Sequence, residues 1–187
     1  MPAAERRATI IAATMPLLVA YGETVTTRQI AEAAGIAEGT IFRVFADKDA
    51  LIEACLETAF DPGPLEAALT AIDPSLGYEQ QLAAAVEIMQ RRVFDLWQLM
   101  SSTGIKSRPR THQPLTDLRA LAALLEPMRD RLNRDPVAAA RLLRAMTLAV
   151  SHPALLADGP LAPVEVVSLF LDGARARPEP TPQGPSC

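Results

Sequence analysis

The chain has 187 residues, of which 49% are hydrophobic and 21% are charged, and its formal net charge is −4. A chain of this length and composition buries a core as one domain or two small ones, which excludes intrinsic disorder as its overall state. The acidic balance excludes a protein that coats nucleic acid through bulk positive charge, but it leaves room for a local DNA-binding face.

Cysteine usage and the N-terminal segment indicate the compartment. The two cysteines cannot form a disulfide framework, which favours a reducing environment. The most apolar N-terminal stretch, residues 9–20, is too short to cross a membrane and is not followed by a signal-peptide cleavage pattern. We therefore expect a cytoplasmic protein without a membrane segment.

Apolar side chains recur at helical spacing along almost the whole chain, which predicts an all-α fold. Glycine, proline and capping residues divide the chain into about nine helices. The first four are predicted over about 4–20, 27–34, 38–44 and 48–60. After an Asp-Pro-Gly-Pro break at 61–64, helices are predicted over about 65–72 and 76–102, a polar connector over 103–114, renewed helical spacing over 115–132, and helices over about 136–156 and 163–174.

Residues 26–36 contain the start of one short helix and the turn that ends it. Thr26 and Gln29 have the spacing of a Thr-x-x-Gln capping box, which predicts a helix start. Gly35 can adopt the left-handed conformation that ends a helix, and Ile36 can fill the turn. The pattern predicts a helix, a tight turn and a second helix.

The helix after this turn, predicted over 38–44, is too short to be stable alone in water. It must be held by burying apolar side chains, which are Ile41, Val44 and Phe45. The outward face then carries small or hydrogen-bonding residues: Glu38, Gly39, Thr40 and Arg43. A short outward helix on a helical platform is the helix-turn-helix arrangement, whose second helix enters the DNA major groove. An ordinary helical hairpin within a larger bundle is the alternative.

Lys48 follows a helix cap predicted at Asp47. Its ammonium group and the N–H groups at the start of the fourth helix would point to the same place, where a phosphate can bind. This feature favours DNA binding over a purely structural hairpin.

The chain contains the run Thr26-Thr27-Arg28-x-Ile30-Ala31-x-x-Ala34-Gly35-Ile36-x-x-Gly39-Thr40-Ile41-Phe42-x-x-Phe45-x-x-Lys48-x-x-Leu51. With this run, residues 5–54 resemble the DNA-binding domain of TetR-family transcriptional regulators. The resemblance implies an all-α chain with an N-terminal three-helix DNA-binding domain (1–54) and a C-terminal helical ligand-binding and dimerisation domain (55–175). It also implies a homodimer, usually a repressor, that binds double-stranded operator DNA and is released by a small-molecule effector. We expect residues 176–187, which are rich in proline, to form a disordered tail.

The resemblance also implies roles for single residues. Thr26 would cap the second helix and touch a phosphate, while Thr27 and Arg28 would reach the DNA backbone or a base edge. Arg28 has the chemistry to bind a guanine. Thr40 would meet a phosphate or a thymine methyl group, and Lys48 would bind a phosphate. The full set of predicted DNA-binding residues is Thr26, Thr27, Arg28, Glu38, Gly39, Thr40, Phe42, Arg43 and Lys48.

Three positions depart from the family pattern. Phe42 stands where the family usually has Tyr, so a phosphate-binding hydroxyl is missing, and Ala37 replaces the usual Ser cap. Val44 stands where the family often has a polar or aromatic residue. Arg43 could compensate as a phosphate contact or be a solvated surface arginine. Glu38 could accept from a cytosine amine or be a plain exposed acid at a helix start.

The long helix predicted over 76–102 carries the candidate effector residues. Its only tryptophan lies near methionines and an arginine pair, which suits a pocket for a ligand with an anionic or carbonyl group. Core packing and surface arginines explain the same residues equally well. The predicted ligand-binding residues are Met89, Arg92, Val93, Trp97 and Met100.

The last two predicted helices are apolar on more than one face, so they need a partner. We predict a two-fold symmetric dimer through a four-helix bundle, which would place two recognition helices about 34–36 Å apart on DNA. The predicted interface residues are Leu143, Met146, Val150, Val164, Val167, Phe170 and Leu171.

No catalytic or metal-binding pattern stands out, and we predict no cofactor. His112 and His152 lie far apart and outside metal-ligand spacing. The leading interpretation is a ligand-responsive transcriptional repressor that is not an enzyme. The alternative is a helical small-molecule-binding or protein-interaction protein whose N-terminal hairpin is only structural.

Overall fold

The fold is that of a computed structural model, which describes residues 2–103, 118–156 and 159–174. Within these residues the regular structure is helical, with no β-strand, as the all-α prediction requires. Most of the predicted connector (104–114) and the predicted tail (176–187) lie outside the described residues. Across the described ranges, no helix is both long enough and apolar enough to span a membrane.

The described residues divide into two compact units. The first unit comprises 2–63 and 91–103, and the second comprises 64–90, 118–156 and 159–174. The first contains α1 (Ala3–Tyr21), a 3-10 turn (Gly22–Thr24), α2 (Thr27–Ala34), α3 (Glu38–Ile41) and α4 (Lys48–Phe60). The second contains α5 (Gly63–Thr70, from Pro64 on), α7 (Arg119–Leu125), a 3-10 helix (Glu126–Arg131), α8 (Pro136–Ala149) and α9 (Pro163–Ala174). Helix α6 (Tyr78–Thr103) begins in the second unit and ends in the first.

The core of the first unit forms where α1, α2 and α4 turn apolar faces inward. On α1 the buried residues Ile10, Thr14 and Leu18 are four apart and therefore share one face. The Thr14 hydroxyl donates to the Ile10 carbonyl at 2.7 Å, so this buried polar group has a partner. Leu99, near the end of α6, completes the cluster. The main buried side chains are Ile10, Leu18, Val25, Ile30, Ile41, Phe45, Leu51, Leu56 and Leu99.

Gly22 ends α1 in a backbone conformation that favours glycine, with φ 56° and ψ −140°. The end of α6 approaches it very closely: a β-carbon at position 22 would lie 2.1 Å from the Ser102 carbonyl oxygen. The absence of a side chain at this position is therefore what allows the two helix ends to meet.

The core of the second unit is built from α5, α6, α7, α8 and α9. Its central buried side chains are Leu69, Leu82, Val86, Leu121, Leu125, Leu143, Val167 and Phe170. A carboxylate from α5 also begins α7, because Glu66 accepts backbone N–H groups from Arg119 at 2.6 Å and Ala120 at 2.9 Å. This cap satisfies two of the unpaired donors at a helix start.

Several helix limits differ from prediction for identifiable reasons. The helix predicted to reach residue 156 ends at Ala149, since Pro153 has no N–H and restricts the residue before it. The helical spacing predicted over 115–132 divides at Glu126 into α7 and a 3-10 helix, with Pro127 at the start of the latter. The predictions for α2, α4 and α9 agree with the structure at both ends.

Candidate nucleic-acid interface

The start of α2 is fixed by the capping box expected from its sequence. The Gln29 N–H donates to Thr26 Oγ1 at 3.2 Å, and the Thr26 N–H donates to Gln29 Oε1 at 2.8 Å. The backbone N–H of each residue therefore has the side chain of the other as its acceptor at the start of the helix. Thr26 itself is exposed at the point where α2 begins.

The turn after α2 sets the position of α3. Gly35 adopts the left-handed conformation, with φ 65° and ψ 34°, as predicted. The Ile36 N–H then donates back to the Ala31 carbonyl at 3.0 Å, which closes the turn in the pattern of a Schellman motif. Ile36 is half-buried against the core of the first unit.

Helix α3 is shorter than predicted, because its α-helical part is Glu38–Ile41 and residues 42–44 form a turn. Beyond Ile41 the Val44 N–H donates three residues back, to the Ile41 carbonyl at 2.9 Å. This tighter turn carries Phe45 into the core, where it is 4% exposed. Ile41 and Phe45 are buried as predicted, whereas Val44 is only half-buried.

Three of the four residues predicted to face outward from this segment are exposed, and the fourth, Thr40, is not. Glu38, Gly39, Phe42 and Arg43 are exposed, and Thr40 is half-buried. Phe42, where the family pattern has Tyr, exposes 51% of its surface although it is a large apolar side chain. A β-carbon added at Gly39 would have no heavy atom within 4 Å, so the surface around it is open.

Two of the predicted DNA-binding side chains are held by carboxylates of the same domain. Thr27 Oγ1 donates to Glu38 Oε1, which links the first turn of α2 to the first turn of α3. Arg28 Nε lies 3.3 Å from Glu32 Oε1, one turn along α2. The Arg28 and Glu32 side chains are 82% and 67% exposed, and ion pairs this exposed contribute little to stability.

Lys48 begins α4 directly after the cap that the sequence predicted. Asp47 Oδ1 accepts the Ala50 N–H at 2.7 Å. The ammonium group of Lys48, a residue that is half-buried as a whole, donates to the backbone carbonyl of Glu23. An ammonium group carries three donors, so this contact leaves donors for a phosphate.

Sequence reasoning missed a cation–π contact behind α3. The Arg7 guanidinium lies 4.8 Å from the centre of the Phe45 ring. Such contacts are worth about 0.5–1 kcal/mol at exposed sites. The four-residue spacing of Arg28 and Glu32 could have predicted their pairing. The contact of Arg7 with Phe45 could not be predicted in this way, because 38 positions separate the two residues.

The predicted ligand-binding residues fall in both units. Met89 is buried in the core of the second unit, whereas the others belong to the first. Arg92 Nη2 donates to the Asp61 carbonyl at 2.8 Å, and burial lowers the pKa of its guanidinium against the opposing attraction of Asp61 and Asp95. Trp97 is half-buried, and the centre of its ring lies 6.2 Å from the centre of the Phe94 ring. Val93 and Met100 are half-buried.

The second unit contains a groove of about 630 Å³ between α6 and α9. Its apolar lining includes Ala83, Val167 and Leu171, and its acidic lining residues are Glu79, Glu87 and Asp172. The five predicted ligand residues do not line this groove.

The predicted dimer residues also differ in exposure. Four of them, Leu143, Val167, Phe170 and Leu171, are buried in the core of their own unit. Met146 and Val150 are half-buried against that core, and Val164 is 65% exposed. Helical periodicity identified the apolar positions, but it could not show which of them are buried in the core of the same chain.

Neither histidine has the spacing of a metal ligand in the sequence. His112 lies outside the described residues, and His152 accepts the Ala154 N–H through Nδ1 at 3.3 Å. In the described part of the chain, no group of three or more His, Cys, Asp or Glu side chains is placed to hold a metal ion.

The family model of bacterial regulatory proteins, tetR family, matches residues 10–55. None of the curated proteins compared with the chain matches it.

Solved structures of similar fold cover nearly the whole chain. A putative TetR-family regulator from Mesorhizobium loti is 18% identical with a TM-score of 0.62, and the match covers 94% of this chain and 100% of that one. A TetR-family regulator from Haemophilus influenzae is 15% identical with a TM-score of 0.60, covering 92% and 98%. NalD from Pseudomonas aeruginosa, the secondary repressor of the MexAB-OprM multidrug efflux pump, is 19% identical with a TM-score of 0.53, covering 93% and 98%. Residues 10–55 therefore belong to the tetR family of bacterial regulatory proteins, and the chain has the fold of TetR-family transcriptional regulators.

Proposed function

We propose that the protein is a ligand-responsive transcriptional repressor, without enzymatic activity, that binds a pseudo-palindromic operator as a homodimer in the cytoplasm. The observation that carries this proposal is the pre-organised segment from Thr26 to Lys48. Its capping box and left-handed turn hold α3 in place, and α3 presents small and hydrogen-bonding side chains outward. A short helix presented in this way fits the major groove.

The charge of this domain limits how it can bind DNA. Residues 1–54 contain five basic and seven acidic residues, a net charge of −2. Bulk attraction to phosphates is therefore weak, and affinity must come from a few placed donors and from dimeric spacing. We expect weak non-specific binding and a modest dependence of affinity on salt.

The test is retardation of genomic DNA fragments by the full-length protein, followed by titration of two variants on a fragment that binds. Arg28→Ala and Lys48→Ala should each weaken binding at least about tenfold, and Lys48→Ala should also reduce the slope of log affinity against log salt by about one. Arg131→Ala removes the same charge from an exposed position of the second unit and is the matched control. If the wild-type chain retards no genomic fragment at low salt, the proposal fails.

The dimer proposal rests on the exposed apolar side chains of α8 and α9. Val137 and Leu148 are 40% and 39% exposed on α8, and eleven residues, about three turns, separate them, so they share one face. Val164 and Leu169 are 65% and 54% exposed on α9. These four, rather than the buried residues of the predicted set, are the apolar groups that a second subunit can cover.

The effector proposal rests on helix α6. Since α6 is one continuous helix that begins in the second unit and ends in the first, a ligand that displaces it can alter the recognition helices. The ligand must bind the released form more tightly than the DNA-bound form. A compound that releases the operator should therefore change the fluorescence of Trp97, and Trp97→Phe should remove that signal while preserving release.

A further inference from the structure

The contact between Thr27 and Glu38 joins the two helices of the proposed DNA-binding segment. Thr27 lies in the first turn of α2 and Glu38 in the first turn of α3, eleven residues later. The threonine hydroxyl donates to Oε1, which leaves Oε2 of the same carboxylate as an acceptor. This contact therefore restricts the rotation of the exposed Glu38 side chain.

The surroundings of Glu38 allow a base pair to approach it. Glu38 is exposed, and its neighbour Gly39 has no side chain and open space beside it. The next residue, Thr40, is small and half-buried. The carboxylate is consequently the most prominent hydrogen-bonding group at the start of α3.

An ionised carboxylate only accepts hydrogen bonds, which restricts the bases it can face. In the major groove the donors are the N4 amine of cytosine and the N6 amine of adenine, whereas guanine and thymine present acceptors. Adenine also places its N7 acceptor beside N6, where it repels a carboxylate. Cytosine is therefore the base that Glu38 suits best, and phosphates repel it.

Glu38 differs in this respect from the other acid on the same surface. Glu32 pairs with Arg28, a residue of the same helix α2. Only Glu38 is both on the outward helix and fixed by a second element. We propose that Glu38 is a specificity-determining residue that selects cytosine at one base pair of each half-site, and that Thr27 is the residue that positions it.

This inference rests on the proposed DNA-binding function, and one experiment separates the two. The full-length protein is used to select from a library of randomised duplexes, and the bound sequences are read. The wild-type chain should enrich a half-site containing one position where cytosine is preferred over guanine by about tenfold, on the order of one good base contact.

Glu38→Gln should lose the cytosine preference at that position and keep the preferences elsewhere. Thr27→Val, which has the same shape without the hydroxyl, should weaken the preference at the same position only, and Thr27→Ser should restore it. A merely structural role of Thr27 would weaken binding to all sequences alike. Glu57→Gln, on the exposed side of α4, removes the same charge as a control and should change no preference.

Thermal unfolding verifies that each variant is folded. If Glu38→Gln does not fold, the Thr27 variants alone test the inference. The inference is overturned if the selected site contains no position specific for cytosine. It is also overturned if the cytosine preference survives both Glu38→Gln and Thr27→Val. Both results would leave DNA binding itself intact. A wild-type chain that enriches no sequence overturns the proposed function itself.

Discussion

The Glu66 carboxylate accepts the backbone N–H of Arg119 at 2.6 Å, although 53 residues separate them in the chain. Its second oxygen accepts the N–H of Ala120 at 2.9 Å. The residue before α7, Leu118, makes no side-chain cap, so a carboxylate from another helix caps α7 instead. Helix α7 therefore depends on α5 for its start as well as for its packing.

We expect Glu66→Ala to lower the free energy of unfolding by about 1–2 kcal/mol, because two N–H groups at a helix start lose their acceptors. Glu66→Gln retains one acceptor oxygen and should give a smaller loss. Urea titration followed by circular dichroism measures both. Glu57→Ala removes an exposed carboxylate that lies within α4 and not at its start, and it should stay within about 0.5 kcal/mol of wild type. Equal losses for Glu66→Ala and Glu57→Ala would contradict the assignment.

Gly22→Ala should destabilise the first unit by about 3 kcal/mol or more. The alanine would have to adopt φ 56° and would place its β-carbon 2.1 Å from the Ser102 carbonyl oxygen. Gly35→Ala is the matched control, since Gly35 also has positive φ but open space around it, and it should cost only about 1 kcal/mol. Thermal unfolding distinguishes the two, and a smaller effect at position 22 than at position 35 would refute the close contact.

Ala37→Ser should stabilise the segment around α3. The N-terminal cap position of this helix carries no side-chain acceptor, and its backbone is already in the extended conformation that a serine cap uses. A gain of up to about 1 kcal/mol in stability is expected, together with tighter binding to the proposed operator. Ala46→Ser introduces the same hydroxyl at an exposed position that precedes the existing Asp47 cap and should have little effect.

The buried thiol of Cys55 predicts a specific loss of stability at high pH. Burial raises the pKa of Cys55 to about 12, although the Arg7 charge acts in the opposite direction. The folded state therefore keeps the proton while an unfolded chain loses it near pH 9. This contribution is fully present below pH 9 and is lost as the pH rises towards 12, by at most about 1.4 kcal/mol per pH unit.

The measurement for Cys55 is the free energy of unfolding between pH 8 and 10.5, compared with Cys55→Ala. The variant is expected to be less stable at pH 8 and to show a weaker decline above pH 9. Tyr78, whose pKa burial also raises to about 12, is present in both proteins and cancels in the comparison. Parallel pH profiles would show that the thiol is not the source of the decline.

Leu169→Arg should convert the proposed dimer into a folded monomer, because Leu169 is 54% exposed on α9 and the arginine would place a charge in the interface. Light scattering at micromolar concentration reports the mass. Leu155→Arg is the control, since Leu155 is 65% exposed but lies after α8 in a turn. A wild-type chain that is monomeric, or a Leu169→Arg chain that stays dimeric, counts against this interface.

The sequence was most informative where local chemistry decides the structure. The capping box at Thr26, the left-handed Gly35 and the cap at Asp47 each depend on residues within three or four positions, and each is present. Burial of Ile41 and Phe45 followed from the shortness of α3 alone. The domain limits, the DNA-binding set, the effector site and the dimer stay predictions.

What the sequence could not reveal depends on contacts between distant residues. The Glu66 cap and the meeting of Gly22 with Ser102 join positions 53 and 80 residues apart. Apolar periodicity likewise could not separate Phe170, which the core buries completely, from Leu169 beside it on the surface. Which apolar stripe faces inward is settled only when all helices of a unit pack together.

The contact at Gly22 has a genetic consequence. Every other amino acid carries a β-carbon, so each missense change in codon 22 introduces an atom where the Ser102 carbonyl already lies. A deep mutational scan of the proposed repression should find this codon as intolerant as those for the proposed DNA-contacting residues. The two classes separate when cellular protein level is scored as well: substitutions at Gly22 should deplete the protein, whereas substitutions at an exposed position such as Arg43 should leave its abundance unchanged.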